Sequence, residues 1–373
     1  MIRCTIATLG SHSALDVCDG AKQEHIPNLV VAQRGREKTY LSYYKTRDRK
    51  LKAAPHGKQE VGCIDEVVLV NKFSEIANQN IIAHLKKRNA IFVPNRSFSV
   101  YVGYDAIESV ENFPIPIFGN RFLLRAEERT AKNNQYDLLE KAGINKPKKI
   151  SSPEKIDRLT LVKVNEAKRK YERAFFVAGS YEEYLAKSKK LVVEGKITEQ
   201  DLKVAQIEEF IIGAHFNFNF FYSPMHEELE LLGIDTRRQT NLDGYLRMPA
   251  DVQLEALKNR EPNNIEVGHI ACTVRESLLE EVFAQAEKFV ETVKCEYQPG
   301  IIGPFALQGV IEEEDGKEQF TTFDVSFRMP GSPGTRFTPY SNYLFGESIS
   351  FGRRIAIEIK EATARKQIDK ITT

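Results

Sequence analysis

The side chains best suited to chemistry in this 373-residue chain lie between Pro299 and Thr335. Gln308 ends an apolar run, an acidic turn follows, and a second extended run carries Asp324 and leads to Arg328. Two extended runs around a turn predict a β-hairpin. If Gln308 and Asp324 lie side by side, their oxygens suit Mg²⁺ on a polyphosphate, because Mg²⁺ completes its shell with phosphate and water. The alternative to a metal site is a charged hairpin at the surface, and this stretch taken alone favours that alternative.

Two polar segments follow strand-like runs near the start of the chain. Residues 10–13, Gly-Ser-His-Ser, stand between a β-rich run and a helix-like run, where backbone N–H groups would favour a phosphate. The alternative is an ordinary turn with Ser13 as its N-cap. Residues 95–97, Asn-Arg-Ser, follow another strand, and Arg96 could hold a phosphate bidentately. A surface turn with a solvated arginine is the commoner reason for that pattern.

A lysine on an apolar strand is the next candidate. Lys163 lies in the strand-like run 159–164, and the basic stretch 165–173 follows it. A lysine on a sheet that covers a triphosphate would act as a point-charge clamp, whereas a charge run is usually a solvated face. The run 207–213 could be a linker strand whose peptide groups bind an adenine edge, or simply an amphipathic strand.

Several classes of function are excluded by composition and motifs. The 53 basic and 52 acidic residues nearly cancel, so no overall field favours nucleic acid or an acidic membrane. The 5 cysteines are scattered, as expected of reduced thiols in a cytoplasmic protein. No apolar run is long enough to span a bilayer, and we expect no signal peptide, because the first residues read directly as a strand. The chain also lacks zinc-ligand spacing, GxSxG, a P-loop and GxGxxG.

The order of elements changes near residue 120. Before it, strands and helices alternate, including a helix at 74–89 and a strand at 115–118, which predicts an open parallel α/β sheet. After it we expect a helix at 121–142, a helix at 180–205, antiparallel strands and an amphipathic helix at 276–294. The prediction is an α/β unit followed by α+β units, with exposed sheet edges compatible with a homo-oligomer.

That order of elements resembles the ATP-grasp superfamily. Within it, the chain is similar over nearly its whole length to the archaeal formate-dependent purine ligases, the 5-formaminoimidazole-4-carboxamide ribonucleotide synthetases. The segments that carry this resemblance are TIATLGSHSAL (5–15), VPNRSF (93–98), IPIFGNR (115–121), EEFIIG (208–213), FFYSP (220–224), ELLGID (230–235), TNLDG (240–244), RESLL (275–279), GIIGPFALQ (300–308) and GRRIAIEIK (352–360).

The resemblance implies an ATP-dependent ligase of purine synthesis that joins formate to aminoimidazole carboxamide ribonucleotide (AICAR) through formyl phosphate. It implies an N-terminal pre-ATP-grasp domain (1–120), a helical connector with the lid subdomain (121–205) and a catalytic subdomain (206–373). It also assigns the site residues: His12, Ser97 and His269 to the nucleotide; Lys163, Glu208, Glu209, Phe210, Ile211 and Gln239 to ATP; Gln308 and Asp324 to Mg²⁺, or Mn²⁺ in its place; and Arg328 to the transferred phosphate.

The sequence departs from the family's pattern at several of these positions. The stretch 165–173 has no glycine where some relatives carry a Gly-rich loop. Asp324 and Ser326 stand where the wider superfamily has Glu and Asn, and His269 and Gln239 stand where some relatives have Asn and Glu. The acceptor therefore stays open: the alternatives are a paralogue that uses a related nucleotide or another carboxylate, and a non-catalytic nucleotide-binding relative.

Overall fold

The computed structural model describes residues 4–50, 58–128, 131–164, 174–260, 265–314 and 316–373. The basic stretch 165–173, and with it any role in covering ATP, lies outside these residues. The strands of the described part are β1 Thr5–Leu9, β2 Asn28–Gln33, β3 Arg47–Lys50, β4 Lys58–Val61, β5 Glu66–Val70, β6 Ala90–Phe92, β7 Lys149–Ile150, β8 Thr160–Val164, β9 Ala174–Ala178, β10 Gln206–Glu209, β11 Ala214–Ser223, β12 Glu228–Gln239, β13 Glu266–Cys272, β14 Gly303–Glu314 and β15 Lys317–Ser326.

The α-helices between these strands are mostly short. They are α1 Ala14–Gln23, α2 Gln79–Lys87, α3 Arg96–Val102, α4 Tyr104–Glu108, α5 Gln135–Lys141, α6 Tyr181–Val193, α7 Glu199–Lys203, α8 Leu242–Tyr245, α9 Ala250–Asn259, α10 Leu279–Glu296, α11 Tyr340–Phe345 and α12 Phe351–Ala364. None of the helices described combines the length and the apolar character needed to cross a bilayer.

The first sheet is parallel, in the order β5-β2-β1-β6. Strands β1 and β2 are buried along almost their full length, because helices cover both faces of a parallel sheet. The loops after β1 and β6 meet at the carboxyl edge of the sheet, where Asn95 donates a side-chain hydrogen bond to the carbonyl of Leu9 at 3.0 Å. The parallel sheet predicted for the first 120 residues is therefore present.

The other two main sheets are antiparallel, and they face each other across a gap. The second sheet has the order β7-β10-β8-β9, with helix α6 packed on it through Tyr184 and Phe176. The third has five strands in the order β13-β12-β11-β14-β15. One face of this third sheet packs on α10, where Phe289 stacks on Phe305 and Phe327. The second and third sheets form the two parts expected of an ATP-grasp domain.

The helix predicted over 121–142 is wrong. Only a 3₁₀ turn at Leu124–Glu127 and α5 form there in the described residues. The side chain of Arg121 is buried, and its guanidinium donates hydrogen bonds to the carbonyls of Ile107, Phe113, Ile115 and Thr373. These non-local contacts override the local helix propensity of the segment.

Three other predicted elements differ in length. The run 115–118 forms only isolated bridges, to β6 and to Thr372, since Pro114 and Pro116 lack the N–H groups of a continuous ladder. The helix at 180–205 divides into α6 and α7, and the helix at 74–89 begins as a 3₁₀ turn. Helices α8 and α9 and strand β13 were not predicted.

Helix α12 joins the end of the chain to its beginning. It lies between α1 and the third sheet, and glycines allow the two helix backbones to touch at Gly20 and Gly352. On the sheet side, the buried Arg354 is paired with Glu230 and Glu358 at 2.7 Å. Residues 351–373 therefore pack against the first unit as well as the third sheet, and the division at 120 and 205 stays a prediction.

The contact between α1 and α12 predicts a large cost for a methyl group at Gly352. A side-chain carbon there would overlap the backbone oxygen of Asp16, so Gly352→Ala should lower the free energy of unfolding by about 3 kcal/mol. Urea denaturation measures the change. Gly179→Ala is the matched control, because a carbon at Gly179 meets no atom within 4 Å; equal effects in the two variants would contradict the predicted contact.

Candidate functional site

A row of polar side chains crosses one face of the third sheet. In the register of the strands, Asp235 pairs with Asn217, Asn217 with Gln308, and Gln308 with Asp324. These four residues come from β12, β11, β14 and β15, and directly opposed residues on neighbouring strands point to the same face. The predicted side-by-side placement of Gln308 and Asp324 in a hairpin is confirmed.

The opposite face of the same strands is apolar. Phe218, Ile234, Leu307 and Val325, each adjacent to a member of the polar row, are buried in the core under α10. Successive residues of a strand alternate between faces, so the sequence F-N-F-N-F at 216–220 places phenylalanines in the core and asparagines in the site. Burial of the apolar face thus fixes which side chains face the ligand cavities.

Two cavities meet on this polar face. The smaller, of about 360 Å³, lies between the third sheet and the carboxyl edge of the first sheet. The larger, of about 580 Å³, lies between the third sheet and the second sheet. Both volumes fall in the range of small-molecule sites. Four of the described residues line both cavities: Asn217, Arg237, Gln239 and Asp324.

All six residues predicted to bind ATP line the larger cavity: Lys163, Glu208, Glu209, Phe210, Ile211 and Gln239. Lys163 on β8 forms an ion pair with Glu208 on β10, and both side chains are only 3% exposed. The Lys163 ammonium also donates to the hydroxyl of Tyr136 at 2.9 Å. Glu209 is paired with Arg158 at 3.2 Å. The contacts of Lys163 with Glu208 and Tyr136 therefore hold its ammonium group in one position at the cavity.

The predicted nucleotide residues do not all reach the smaller cavity. His12 and His269 line it, and a side-chain carbon at Gly331 would lie 3.6 Å from His12 Nδ1 and 3.3 Å from His269 Nε2. Ser97 is buried outside the lining, and its hydroxyl donates to Ser11 Oγ at 2.6 Å. Arg96 and Ser99, from the same helix α3, line the cavity instead.

His269 lies between two carboxylates. Its Nδ1 is 2.5 Å from Asp235 and its Nε2 is 2.8 Å from Glu266. Burial alone would lower the pKa of His269, but the bonds to Asp235 and Glu266 outweigh burial and raise this pKa to about 9. The imidazole is therefore a cation near pH 7.

The same carboxylates continue the network towards the hairpin. Asp235 also accepts hydrogen bonds from Asn217 at 2.8 Å and Asn219 at 2.6 Å. The second oxygen of Glu266 is 2.9 Å from Arg237 Nε, and Arg237 Nη2 donates to the amide oxygen of Gln308. A continuous chain of contacts thus joins His269, which is predicted to bind the nucleotide, to Gln308, which is predicted to bind the metal ion.

Arg328, the predicted catalytic residue, lines the smaller cavity and is held by Glu127. Both Nε and Nη2 of Arg328 lie 3.1 Å from a Glu127 oxygen, and the other oxygen accepts from the backbone N–H of Phe327 at 2.8 Å. Glu127 ends the 3₁₀ turn at 124–127. Its carboxylate therefore fixes the segment that follows β15.

Gln308 and Asp324 fit a hard divalent cation. An amide oxygen and a carboxylate on opposed positions are the donors that Mg²⁺ or Mn²⁺ prefers, and the adjoining cavities leave room for phosphate and water. A different cluster of ligand atoms, His226, Glu358 and Glu361, lies outside both cavities. There Glu358 is already bound by Arg354 and Ser223, so that cluster has little capacity left for an ion.

Sequence reasoning missed Asn217, Asn219, Asp235, Arg237, Glu266 and Glu127. The alternation of phenylalanine and asparagine in β11 was the one signal for the asparagines. Asp235 and Arg237 share the face of that row on β12, but the pairing of β12 with β11 is a non-local fact. Glu127 was hidden in the segment wrongly predicted as a continuous helix.

Family models match most of the chain. A "protein of unknown function" (DUF1246) matches residues 6–150, and a "domain of unknown function" (DUF1297) matches residues 183–373. Curated relatives named 5-formaminoimidazole-4-carboxamide-1-(β)-D-ribofuranosyl 5'-monophosphate synthetase are 37% identical in Methanopyrus kandleri and 38% identical in Methanothermobacter thermautotrophicus. Each alignment covers 99% of this chain, and 95% and 94% of the respective relative. The chain belongs to this synthetase family.

Solved structures agree with that assignment. An IMP biosynthesis protein, PurP, from Thermococcus kodakaraensis is 28% identical with a TM-score of 0.70, covering 99% of this chain and 100% of its own. A biotin carboxylase from Campylobacter jejuni shares the fold at 12% identity, with a TM-score of 0.56 over 97% of this chain and 71% of its own. The predicted ATP-grasp fold of this family member is confirmed.

The raised pKa of His269 predicts how stability depends on pH. The folded pKa of about 9 lies above the ordinary 6.5, so the charged imidazole stabilises the fold fully below pH 6.5. This contribution, at most about 3 kcal/mol, should be lost as pH rises through 9. Urea denaturation of wild type and His269→Asn between pH 6 and 10 measures it, and a stability difference independent of pH would contradict the ion pairs.

Proposed function

We propose that this chain catalyses the ATP-dependent formylation of AICAR by formate, producing 5-formaminoimidazole-4-carboxamide ribonucleotide, ADP and phosphate in purine (IMP) synthesis. The family to which the chain belongs supports this activity. The observation that carries the proposal is that two ligand-sized cavities share Asn217, Arg237, Gln239 and Asp324, so that a group on a ligand in one can reach a ligand in the other.

ATP occupies the larger cavity in this proposal. Lys163 binds the phosphates as a fixed positive charge, because its ion pair with Glu208 and its bond to Tyr136 hold the ammonium in place. Phe210 and Ile211 supply apolar surface and peptide groups for adenine, at the point where β10 leaves the second sheet. The triphosphate then runs towards Gln239 and Asp324 at the junction with the smaller cavity.

AICAR and formate occupy the smaller cavity. His12 and His269 both approach the same side-chain position at Gly331 and are assigned to the nucleotide. Arg96 lines the same cavity, and no ion pair joins it to another residue of the described part of the chain, so its charge is available for the 5'-phosphate. Ser97 supports this wall from behind through its bond to Ser11.

Two buried hydroxyls support the nucleotide assignment. Ser99 and Ser332 line the smaller cavity, and among the described contacts neither hydroxyl has a hydrogen-bond partner. A buried polar group without a partner is costly, so such groups indicate a missing ligand or water. The ribose and phosphate of a nucleotide are rich in the oxygens that these hydroxyls would bind.

Gln308 and Asp324 would hold Mg²⁺, or Mn²⁺, next to the phosphates of ATP. The ion would withdraw charge from the oxygens of the transferred phosphoryl group. Arg328 would bind the phosphate on the side of the smaller cavity, in the orientation that Glu127 imposes.

Two displacements account for the reaction. A formate oxygen forms a bond to the γ-phosphorus of ATP, while the bond to the bridging oxygen breaks and its electron pair leaves with ADP. The nucleotide amine then forms a C–N bond to the formyl carbon, the C–O bond to phosphate breaks with its electrons on phosphate, and the amine loses a proton to solvent. The protein contributes positioning and charge stabilisation rather than a nucleophile.

An assay of ADP release tests the proposal. The purified protein is mixed with Mg-ATP, formate and AICAR, and each component is omitted in turn. We expect ADP only when both formate and AICAR are present. ADP that requires a different carboxylate or nucleotide would show a paralogue with another substrate. ATP binding without turnover on any substrate set would show a non-catalytic relative.

Asp324→Asn should lower turnover by on the order of 100-fold while the fold survives, since the amide has the same shape but lacks the charge that binds the cation. Binding of Mn²⁺, measured by electron paramagnetic resonance in the presence of ATP, should weaken in parallel. Asp251→Asn, an exposed position on α9, serves as the control. Wild-type rates and Mn²⁺ affinity in Asp324→Asn would remove Asp324 from the metal site.

A further inference from the structure

Arg237 stands at the junction of the two cavities. Of the described residues that line both, Asn217, Arg237, Gln239 and Asp324, it is the one with a positive charge. A phosphoryl group that passes from ATP in the larger cavity to a carboxylate in the smaller one must cross this junction. During the transfer, negative charge is spread over the three equatorial oxygens of the group and develops on the leaving oxygen of ADP. A cation that the group meets at this junction therefore has more effect on the transition state than on either bound substrate.

The guanidinium of Arg237 is positioned without being fully used. Nε lies 2.9 Å from Glu266 as an ion pair but makes no hydrogen bond to a described residue, Nη2 donates to Gln308, and the side chain is 18% exposed. Within the described part of the chain, Nη1 donates to no protein acceptor. Arginine presents five N–H donors in a planar fork, so contacts on two nitrogens fix its plane and leave donors for oxygens of a phosphoryl group.

The surroundings of Arg237 differ from those of Arg328. Arg328 lines the smaller cavity but not the larger one. A single carboxylate, that of Glu127, contacts two nitrogens of the Arg328 guanidinium. Glu266, the partner of Arg237, divides its two oxygens between Arg237 and His269. The positive charge of Arg237 is therefore less completely neutralised by its carboxylate partner than the charge of Arg328 is by Glu127.

We propose that Arg237 is a catalytic residue that donates hydrogen bonds to the phosphoryl group while it moves from ADP to the carboxylate oxygen. This inference rests on the proposed function and adds a residue to it. In that step the new P–O bond takes an electron pair from the carboxylate, and the broken P–O bond returns a pair to ADP. Arg237 neither gains nor loses a proton; it stabilises charge on the three oxygens that remain on phosphorus.

The structure also indicates that a substitution at Arg237 leaves the fold intact. Glu266 keeps its contact with His269 at 2.8 Å, so no carboxylate is left without a cation. The apolar face of β12, including Leu231 and Ile234, is unchanged by a substitution on the polar face. Thermal melting of each variant checks this point.

The test compares Arg237→Ala, Arg237→Lys and a control, Arg275→Ala, in the ADP-release assay with saturating Mg-ATP, formate and AICAR. Arg275 pairs with Glu318 at an exposed position outside both cavity linings, so its loss should change little. We expect kcat to fall by on the order of 100-fold or more in Arg237→Ala, with the Kd of ATP within about threefold of wild type. Arg237→Lys should fall between the two, because it keeps the charge and loses the planar fork.

Added guanidinium ion provides a readout that a purely structural role would not change. It should restore part of the activity of Arg237→Ala by entering the space left by the side chain, and should not affect Arg275→Ala. Turnover of Arg237→Ala near the wild-type value, or a loss that follows entirely from weaker ATP binding, overturns the role of Arg237. If Arg237→Ala is unstable, a wild-type kcat in Arg237→Lys has the same meaning.

ADP release by the wild-type protein distinguishes a failure of this inference from a failure of the proposed function. Formate- and AICAR-dependent ADP release by wild type, together with full activity of Arg237→Ala, rejects Arg237 alone. Absence of formate-dependent ADP release from wild type rejects the proposed function and the role of Arg237 with it.

Discussion

The register of the five-stranded sheet is the constraint on which the site depends. Asp235, Asn217, Gln308 and Asp324 form one row because four strands pair at those positions. A slip of one residue in any strand would turn its apolar side chain to the cavities and its polar side chain into the core. The free energy of burying the apolar face beneath α10 therefore also keeps the polar side chains that line the cavities in place. Stability and function share the same set of strand pairings.

The charged groups of the site are held in pairs and triplets. Lys163 with Glu208, Arg328 with Glu127, and His269 with its two carboxylates are each at least partly removed from water. Burying charges is costly, and it is compensated here by good geometry and additional hydrogen bonds. Such pairs contribute little net stability compared with apolar packing, but they fix donors and charges in advance of the reaction. This preorganisation is what a phosphoryl transfer requires from a protein, because the substrates supply the bonds that change.

The sequence allowed the parallel unit, the hairpin and eleven of the cavity-lining residues to be predicted, because these depend on local alternation, on Gly-rich turns and on motifs of the family. It did not allow Asp235 and Arg237 to be assigned, since their roles come from strands that pair across the sheet. Local helix propensity misled the prediction for 121–142, where the buried guanidinium of Arg121 donates to the carbonyl of Ile107 in the preceding segment and to that of Thr373, far along the chain. Glu127 was missed for the same reason. Ser97 shows a further limit of the sequence. It lies in the first turn of helix α3, where it is buried, so a residue that was expected to line the cavity lies behind the residues that do line it.

Helix α12 connects the two sheets on either side of the smaller cavity, and this sets the smaller cavity apart from the larger one. It is wedged between α1 and strands β11 and β12, and Arg353 and Lys360 on its outer side bind Glu24 near the end of α1. The first and third sheets are thus fastened together by the last helix of the chain, and the spacing between them is a property of the whole fold. The width of the smaller cavity, which lies between these two sheets, therefore depends on the packing of α12. Among the described residues, the ion pairs of α12 reach Glu24 and Glu230 and none reaches the second sheet, so the larger cavity has one wall that these ion pairs do not hold.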